Sequence, residues 1–264
     1  MTTVLSIAGS DPSGGAGIQA DLQVFASLGV HGAAAVTALT VQDTVGVREV
    51  WPCPADLVRR QVAAVLADLR PAAIKVGMVG SAEVVEAAAE ALAERGGAPL
   101  VVDPIRSAGS GDALTDDAGF AALRELLLPI ATVITPNATE AEALAGIPVR
   151  TLAEAKRAAR ELAKRGCAVL VKGGHLEGDP VDVLCVGEEC AELPGERIAL
   201  AQRVHGTGCA LSAALAVYLA EGCELHEACV RAKAYVAAGL RQARVIGRGA
   251  LVIDYAAAGT GRMG

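Results

Sequence analysis

The chain has 264 residues, 53% of them hydrophobic but only 2% aromatic, and a formal charge of −7, so its core must be built from Ala, Val and Leu. That acidity excludes general nucleic-acid binding, because a phosphate backbone would be repelled, and any phosphorylated ligand must be held by local groups. The length suits one large α/β domain or two small ones; no Ser/Pro linker, composition shift or repeat divides it, and residues 1–264 are read as one domain.

Seven cysteines, at 53, 167, 185, 190, 209, 223 and 229, contain no Cys-x-x-Cys pair. Reduced thiols in a cytosol are therefore expected, rather than a disulfide framework or a zinc site. The N-terminus lacks a basic region, and no apolar stretch is long enough to span a bilayer. A cytoplasmic protein with no signal peptide and no membrane partner is therefore expected.

In chain order, residues 4–8 read as a buried strand, followed by Gly9-Ser10-Asp11-Pro12-Ser13-Gly14-Gly15-Ala16-Gly17-Ile18-Gln19-Ala20-Asp21 and a helix near 15–28. Gly9 and Gly14 fit a Walker phosphate loop, but Gly15-Ala16 replaces its lysine and hydroxyl. Gly15-x-Gly17-x-x-Ala20 matches dinucleotide spacing, yet a loop separates it from the strand. A small-molecule pocket wall is the remaining reading; Asp21 either faces a polar substituent there or is an exposed acid of the first helical turn. The strand 33–39 leads to Gln42, whose amide can donate and accept towards a ligand edge or simply sit in a solvated turn. Residues 44–51 read as a short strand outside the main alternation, and 55–69 as a helix. After strand 73–76, Met78 either covers an aromatic ring or fills a gap in the core.

Helix 82–95 and strand 100–102 bring the chain to Asp103, followed by Pro104 and a Ser/Gly-rich loop, and then to helix 116–127 and strand 131–134. Thr135-Pro136-Asn137-Ala138-Thr139-Glu140 opens another helix, with Asn137 and Glu140 spaced as a capping box. The cap explains that pair by itself; the alternative puts Glu140, assisted by Asp103, near a hydrated magnesium ion. Helix 151–165 and strand 169–171 precede Lys172-Gly173-Gly174-His175, where the lysine suits a nucleotide phosphate or a structural ion pair. His175 and His205 are expected to make local hydrogen bonds, since no ligand spacing joins them. Residues 181–193 read as a hairpin around Gly187. Finally His205-Gly206-Thr207-Gly208-Cys209 enters helix 207–221, followed by helix 224–241. The first amides of such a helix have no intrahelical partner, and glycines let a phosphate come close to them. The alternation predicts an α/β fold, a three-layer α/β/α sandwich with a mostly parallel central sheet, and most distinctive groups fall beyond strand carboxyl ends.

Together these blocks resemble the hydroxymethylpyrimidine/phosphomethylpyrimidine kinases of thiamine biosynthesis, within the ribokinase-like family. The resemblance runs through 8–21, 38–47, 75–78, 101–112, 135–141, 171–175 and 205–215. It implies transfer of the ATP γ-phosphoryl group to the hydroxymethyl oxygen of 4-amino-5-hydroxymethyl-2-methylpyrimidine, then a second transfer to the resulting phosphate. Carried onto matching positions, Gly9, Asp21, Gln42 and Met78 form the pyrimidine pocket, and Gly206, Thr207 and Gly208 the anion hole. Thr135, Asn137 and Lys172 lie toward ATP, and Asp103 and Glu140 toward Mg²⁺. Cys209 is implied as the base for the alcohol step, as a thiolate favoured by the helix N-terminus, with buried structural cysteine the alternative. A homodimer is also implied.

The chain departs from the common pattern at Arg106, often methionine, at Gly109, often lysine, and at Val204, often threonine; Arg106 is a candidate for the charge absent at Gly109. A vitamin B6 kinase and an inactive ligand-binding relative are the rival readings. The Gln42-Asp43-Thr44 neighbourhood favours the pyrimidine, and the Gly206–Cys209, Lys172 and Glu140 set favours turnover.

Overall fold

The computed structural model describes residues 1–177 and 179–259, with residue 175 described by its backbone alone. β1 (Thr3–Ser10) leads into α1 (Gly17–Ser27), and β2 (His31–Gln42) turns back as β3 (Val47–Pro52). Alternation continues through α2 (Ala55–Leu69), β4 (Ala73–Val76), α3 (Ala82–Leu92), β5 (Leu100–Val102) and α4 (Asp117–Ala122). Next come β6 (Val133–Ile134), α5 (Ala138–Ala145), α6 (Leu152–Ala163) and β7 (Ala168–Val171). A hairpin of β8 (Asp182–Val186) and β9 (Glu189–Leu193) follows. The last part holds β10 (Val204–His205), α7 (Thr207–Ala220), α8 (Leu225–Arg241), β11 (Leu251–Val252) and α9 (Tyr255–Gly259).

The large sheet has the order β3-β2-β1-β4-β5-β6-β7-β8-β9, and a separate ribbon pairs β10 with β11. Pairing is parallel from β2 through β7 and antiparallel at both margins. Side chains alternate across the strands and bury both faces. Leu5, Ile7, Ile74, Val76, Leu100 and Val102 pack against the layer of α2 to α6. Val4, Ala73, Val101 and Val133 pack against α1, α7 and α8. α7 is buried on every side from Cys209 to Tyr218, as expected of a helix with no polar face. Among the described residues, no helix is long and apolar enough to cross a membrane.

Three local readings change. β2 runs beyond residue 39 to Gln42, because residues 40–42 pass the end of β1 and pair with β3 alone, and Val41 there is exposed. The helix expected over 116–127 is α4 followed by a π-helical turn, Leu123–Leu127, and a 3-10 turn through Pro129. The expectation of wholly reduced cysteines fails for Cys185 and Cys190, which form a disulfide. The tight hairpin makes them register partners with Cα atoms 4.1 Å apart, a proximity that a search for Cys-x-x-Cys spacing does not test. Cys53, Cys167, Cys209, Cys223 and Cys229 are free.

Candidate active site

Parallel strands deliver their carboxyl ends to one sheet edge, and there a cavity of about 940 Å³ opens. Gly9, Gln42 and Met78 line it from the β1, β2 and β4 ends, Glu140 and Lys172 from the β6 and β7 loops, and Gly206–Cys209 from the start of α7.

Gly206 caps α7 in the left-handed region, at φ 81°. A Cβ there would collide with the Gly15 carbonyl oxygen, so glycine is required both by torsion and by space. The turn leaves the first-turn amides of α7 without a side-chain cap. Lys172 sits directly over them: a Cβ on Gly208 would lie 3.1 Å from its Nζ. Lys172 also donates to Asp103 Oδ1 at 2.8 Å and lies 4.0 Å from Glu140 Oε2. Thr135 donates to the same Asp103 oxygen at 3.0 Å, and the Ser212 hydroxyl lies 3.2 Å from Oδ2.

Below the cavity floor, Ser6 and Lys75 are register partners on β1 and β4 and face α1. There Asp21 accepts from Ser6 Oγ at 2.5 Å and from Lys75 Nζ at 2.8 and 3.1 Å, all three side chains being fully buried. Burial alone would depress Lys75, but Asp21, with Cys209 and Asp103 nearby, raises it above the ordinary lysine value. Burial likewise opposes the charges of Lys172 and Asp103, and their attraction outweighs it: Lys172 is raised and Asp103 lowered. Glu140 differs. Burial, with Asp103 adding to it, pushes its carboxyl up to about 7 against the pull of Lys172.

At the other margin, Gln42 Nε2 lies 2.9 Å from His205 Nε2, which lies 3.0 Å from Asp11 Oδ2. Asp11 also accepts the amides of Ser13 and Ala16, at 2.9 and 2.8 Å, and so folds the first loop around itself. Burial works against this carboxylate, but the His205 and Ser13 bonds hold it below the usual range.

A model of the family described as phosphomethylpyrimidine kinase matches residues 11–254. The chain belongs to that family. It is 48% identical over 247 residues to the hydroxymethylpyrimidine/phosphomethylpyrimidine kinase of Rhizobium meliloti, covering 92% of each. The crystal structure of a phosphomethylpyrimidine kinase from Clostridium difficile superposes with a TM-score of 0.80 at 38% identity, over 90% of this chain and 98% of that one. The pyridoxal kinase from Staphylococcus aureus, in complex with AMP-PCP and pyridoxal, gives a TM-score of 0.88 at 34% identity, over 97% and 94%. The fold is ribokinase-like, as the family resemblance implies.

Family membership leaves each residue to its own geometry. Gly9, Gln42, Met78, Asp103, Asn137, Glu140, Lys172 and Gly206–Cys209 all line the cavity. Two expected contacts do not. Asp21, expected at the pocket wall, is sealed beneath it by Lys75 and Ser6. Thr135, expected toward the nucleotide, is fully buried with its hydroxyl given to Asp103. Asn137 and Glu140 form the capping box, each side chain accepting the other's amide at 2.9 and 2.7 Å, while Glu140 still faces Lys172. The thiolate expected at Cys209 is not favoured: burial pushes its thiol up to about 11, with Lys75 only partly opposing. Arg106 turns to Asp117 at 2.7 Å and stacks over the Phe120 ring. The His175 side chain lies outside the described residues.

Sequence reasoning assigned no role to Lys75, Asp11 or Lys233. A lysine inside the apolar run Ala73-Ile74-Lys75-Val76 was the available signal for the first. Lys233 holds the cavity's far wall through the Pro180 and Leu193 carbonyls, both at 2.8 Å, and Asp182 at 2.9 Å.

Two outcomes follow. Asp21→Ala leaves a buried ammonium unpaired and should lower stability by about 3–5 kcal/mol, read as a shifted urea midpoint. Replacing both Asp21 and Lys75 by leucine and methionine should recover much of that loss; a single-variant loss below about 1 kcal/mol contradicts the pairing. Glu140 has a folded pKa of about 7 against 4.5 ordinarily, so the folded state holds the extra proton between those values. Stability in chelator-treated buffer should therefore fall as pH rises through that window, and Glu140→Gln should flatten the slope.

Proposed function

We propose that the protein phosphorylates 4-amino-5-hydroxymethyl-2-methylpyrimidine from ATP, and then the resulting monophosphate to the diphosphate, in thiamine biosynthesis. The observation that carries this reading is the seat of Lys172 Nζ, 3.1 Å from the Cβ position of Gly208 at the uncapped start of α7. An ammonium and converging amides there meet the charge that develops on a phosphoryl group in transfer. The name of the Rhizobium meliloti relative carries both phosphorylations, and the nucleotide analogue in the Staphylococcus aureus structure supports ATP as donor.

The acceptor ring packs on the wall formed by Gly9 and Met78, with its amino edge toward Gln42. Glycine at position 9 lets Met78 close over it, since a Cβ would meet Met78 Sδ at 2.9 Å and push it aside. His205, bonded to Asp11 and packed against the Gln42 amide, ties acceptor recognition to the turn it precedes. Beyond Lys172 and Asn137 the cavity continues to Val230, Ala234 and Ala237 of α8, an apolar surface suited to a nucleotide base. Holding acceptor oxygen, phosphorus and leaving oxygen in line is then largely a matter of positioning.

Asp103 and Glu140 fit a magnesium ion in donor type, as buried carboxylates facing one ammonium at the cavity. Mg²⁺ keeps much of its water and takes one or two carboxylates with phosphate oxygens. When bound, it neutralises phosphate charge. Thr135 and Ser212 hold the Asp103 carboxylate for that task, and the Asn137 amide holds Glu140. The proposal extends to a single kinase domain acting as a cytoplasmic homodimer.

ATP consumption with the hydroxymethyl pyrimidine, and mass detection of both phosphorylated products, should give monophosphate and then diphosphate. Preferential phosphorylation of pyridoxal would point to the vitamin B6 alternative, and no turnover with either alcohol to an inactive relative. A neutral Cys209 thiol takes no proton from the acceptor before transfer, so Cys209→Ala should slow both separately assayed steps by similar factors. A loss confined to the alcohol step would restore the base role.

A further inference from the structure

The two acceptors differ chiefly in charge: one is an alcohol, the other a phosphate carrying about −1.5 to −2 at neutral pH. The second step therefore asks the cavity for a positive charge that the first does not need. Most of the cavity's lysines and arginines are already committed. Among the described residues, Lys75 faces Asp21, Lys172 faces Asp103, Lys233 faces Asp182 and Arg106 faces Asp117, each within 4.0 Å of a carboxylate. Arg203 also lines the cavity and has no such partner among the described residues. Asp112 feels its charge but gives its carboxylate to Ser110 and the Val47 amide, at 2.6 and 3.2 Å.

Position favours the acceptor side. Arg203 stands two residues before His205, which lies against Gln42, and its carbonyl is held by the Leu251 amide at 2.9 Å. Its Nη1 lies 3.5 Å from where a Cβ on Gly109 would be, so the guanidinium meets the loop that follows β5 across the cavity mouth. Gly109 is not in the left-handed region, and Arg203 is the one neighbour a Cβ there would meet.

We infer that Arg203 is the specificity residue for the second transfer, binding the phosphate of the monophosphate acceptor while resting on the Gly109 loop. This rests on the two-step kinase reading. Guanidinium pairs with phosphate through directed, charge-assisted hydrogen bonds, whereas a neutral hydroxymethyl group offers no comparable partner.

The test is steady-state kinetics of each step separately, with KM measured for ATP and for each acceptor. Arg203→Ala should raise KM for the monophosphate by about tenfold or more, the loss expected for one charged hydrogen-bonding group, with a much smaller change for the alcohol and for ATP. Arg203→Lys should recover part of the loss. Arg203→Ala combined with Gly109→Lys should also recover part, since it returns a cation to the same space from the opposite side. A raised KM for ATP in both steps would assign Arg203 to the nucleotide instead, and equal effects on the two acceptors, or none, would overturn the inference. Wild-type enzyme that makes no diphosphate would sink the two-step reading itself, a result distinct from a wild type that completes both steps and a variant that does too.

Discussion

The contact between Gly206 and the Gly15 carbonyl is the constraint on which the rest of the site depends. It presses the turn before α7 onto the loop after β1, two segments nearly two hundred positions apart in the chain. Tyr255 reinforces it by donating its hydroxyl to the same carbonyl at 3.0 Å. His205, immediately before the turn, bonds to Asp11 at 3.0 Å and lies against the Gln42 amide. The loop after β1 and the turn before α7 are thus one unit, and a shift in either would carry the other with it.

Charge organises the floor beneath. Asp21, Lys75, Asp103, Lys172 and Glu140 alternate in sign, and the pairs at 2.8 Å keep both ammoniums protonated despite burial. With Glu140 near neutrality, two carboxylates balance two lysines. Each buried ion in the row thus has a partner, and the row adds no excess negative charge of its own although the chain's formal charge is −7.

Much of this was legible from residue order. The burial of β1, β4 and β5 on both faces appears as short, mostly apolar runs, and the helices appear as Ala/Glu/Arg-rich intervals between them. The capping box of Asn137 and Glu140, and the glycines around Thr207, were equally visible because both are local patterns. What stayed hidden depends on tertiary neighbours. Whether Asp21 faces solvent, substrate or Lys75 is decided by a lysine 54 positions away. The protonation of Cys209 turns on the balance between burial and the Lys75 charge, both tertiary matters, and burial prevails. The β10–β11 ribbon joins two-residue strands too short to leave a periodic signal.

α7 bears on reactivity as well as stability. Because it is enclosed on all sides, its axis cannot rock or slide without opening the packing around Ala213, Leu215 and Val217. Its leading amides are therefore aimed when the polypeptide folds, long before any nucleotide arrives. The energetic cost of reorienting dipoles, which water must meet anew for every ion it solvates, has been met here once, during folding.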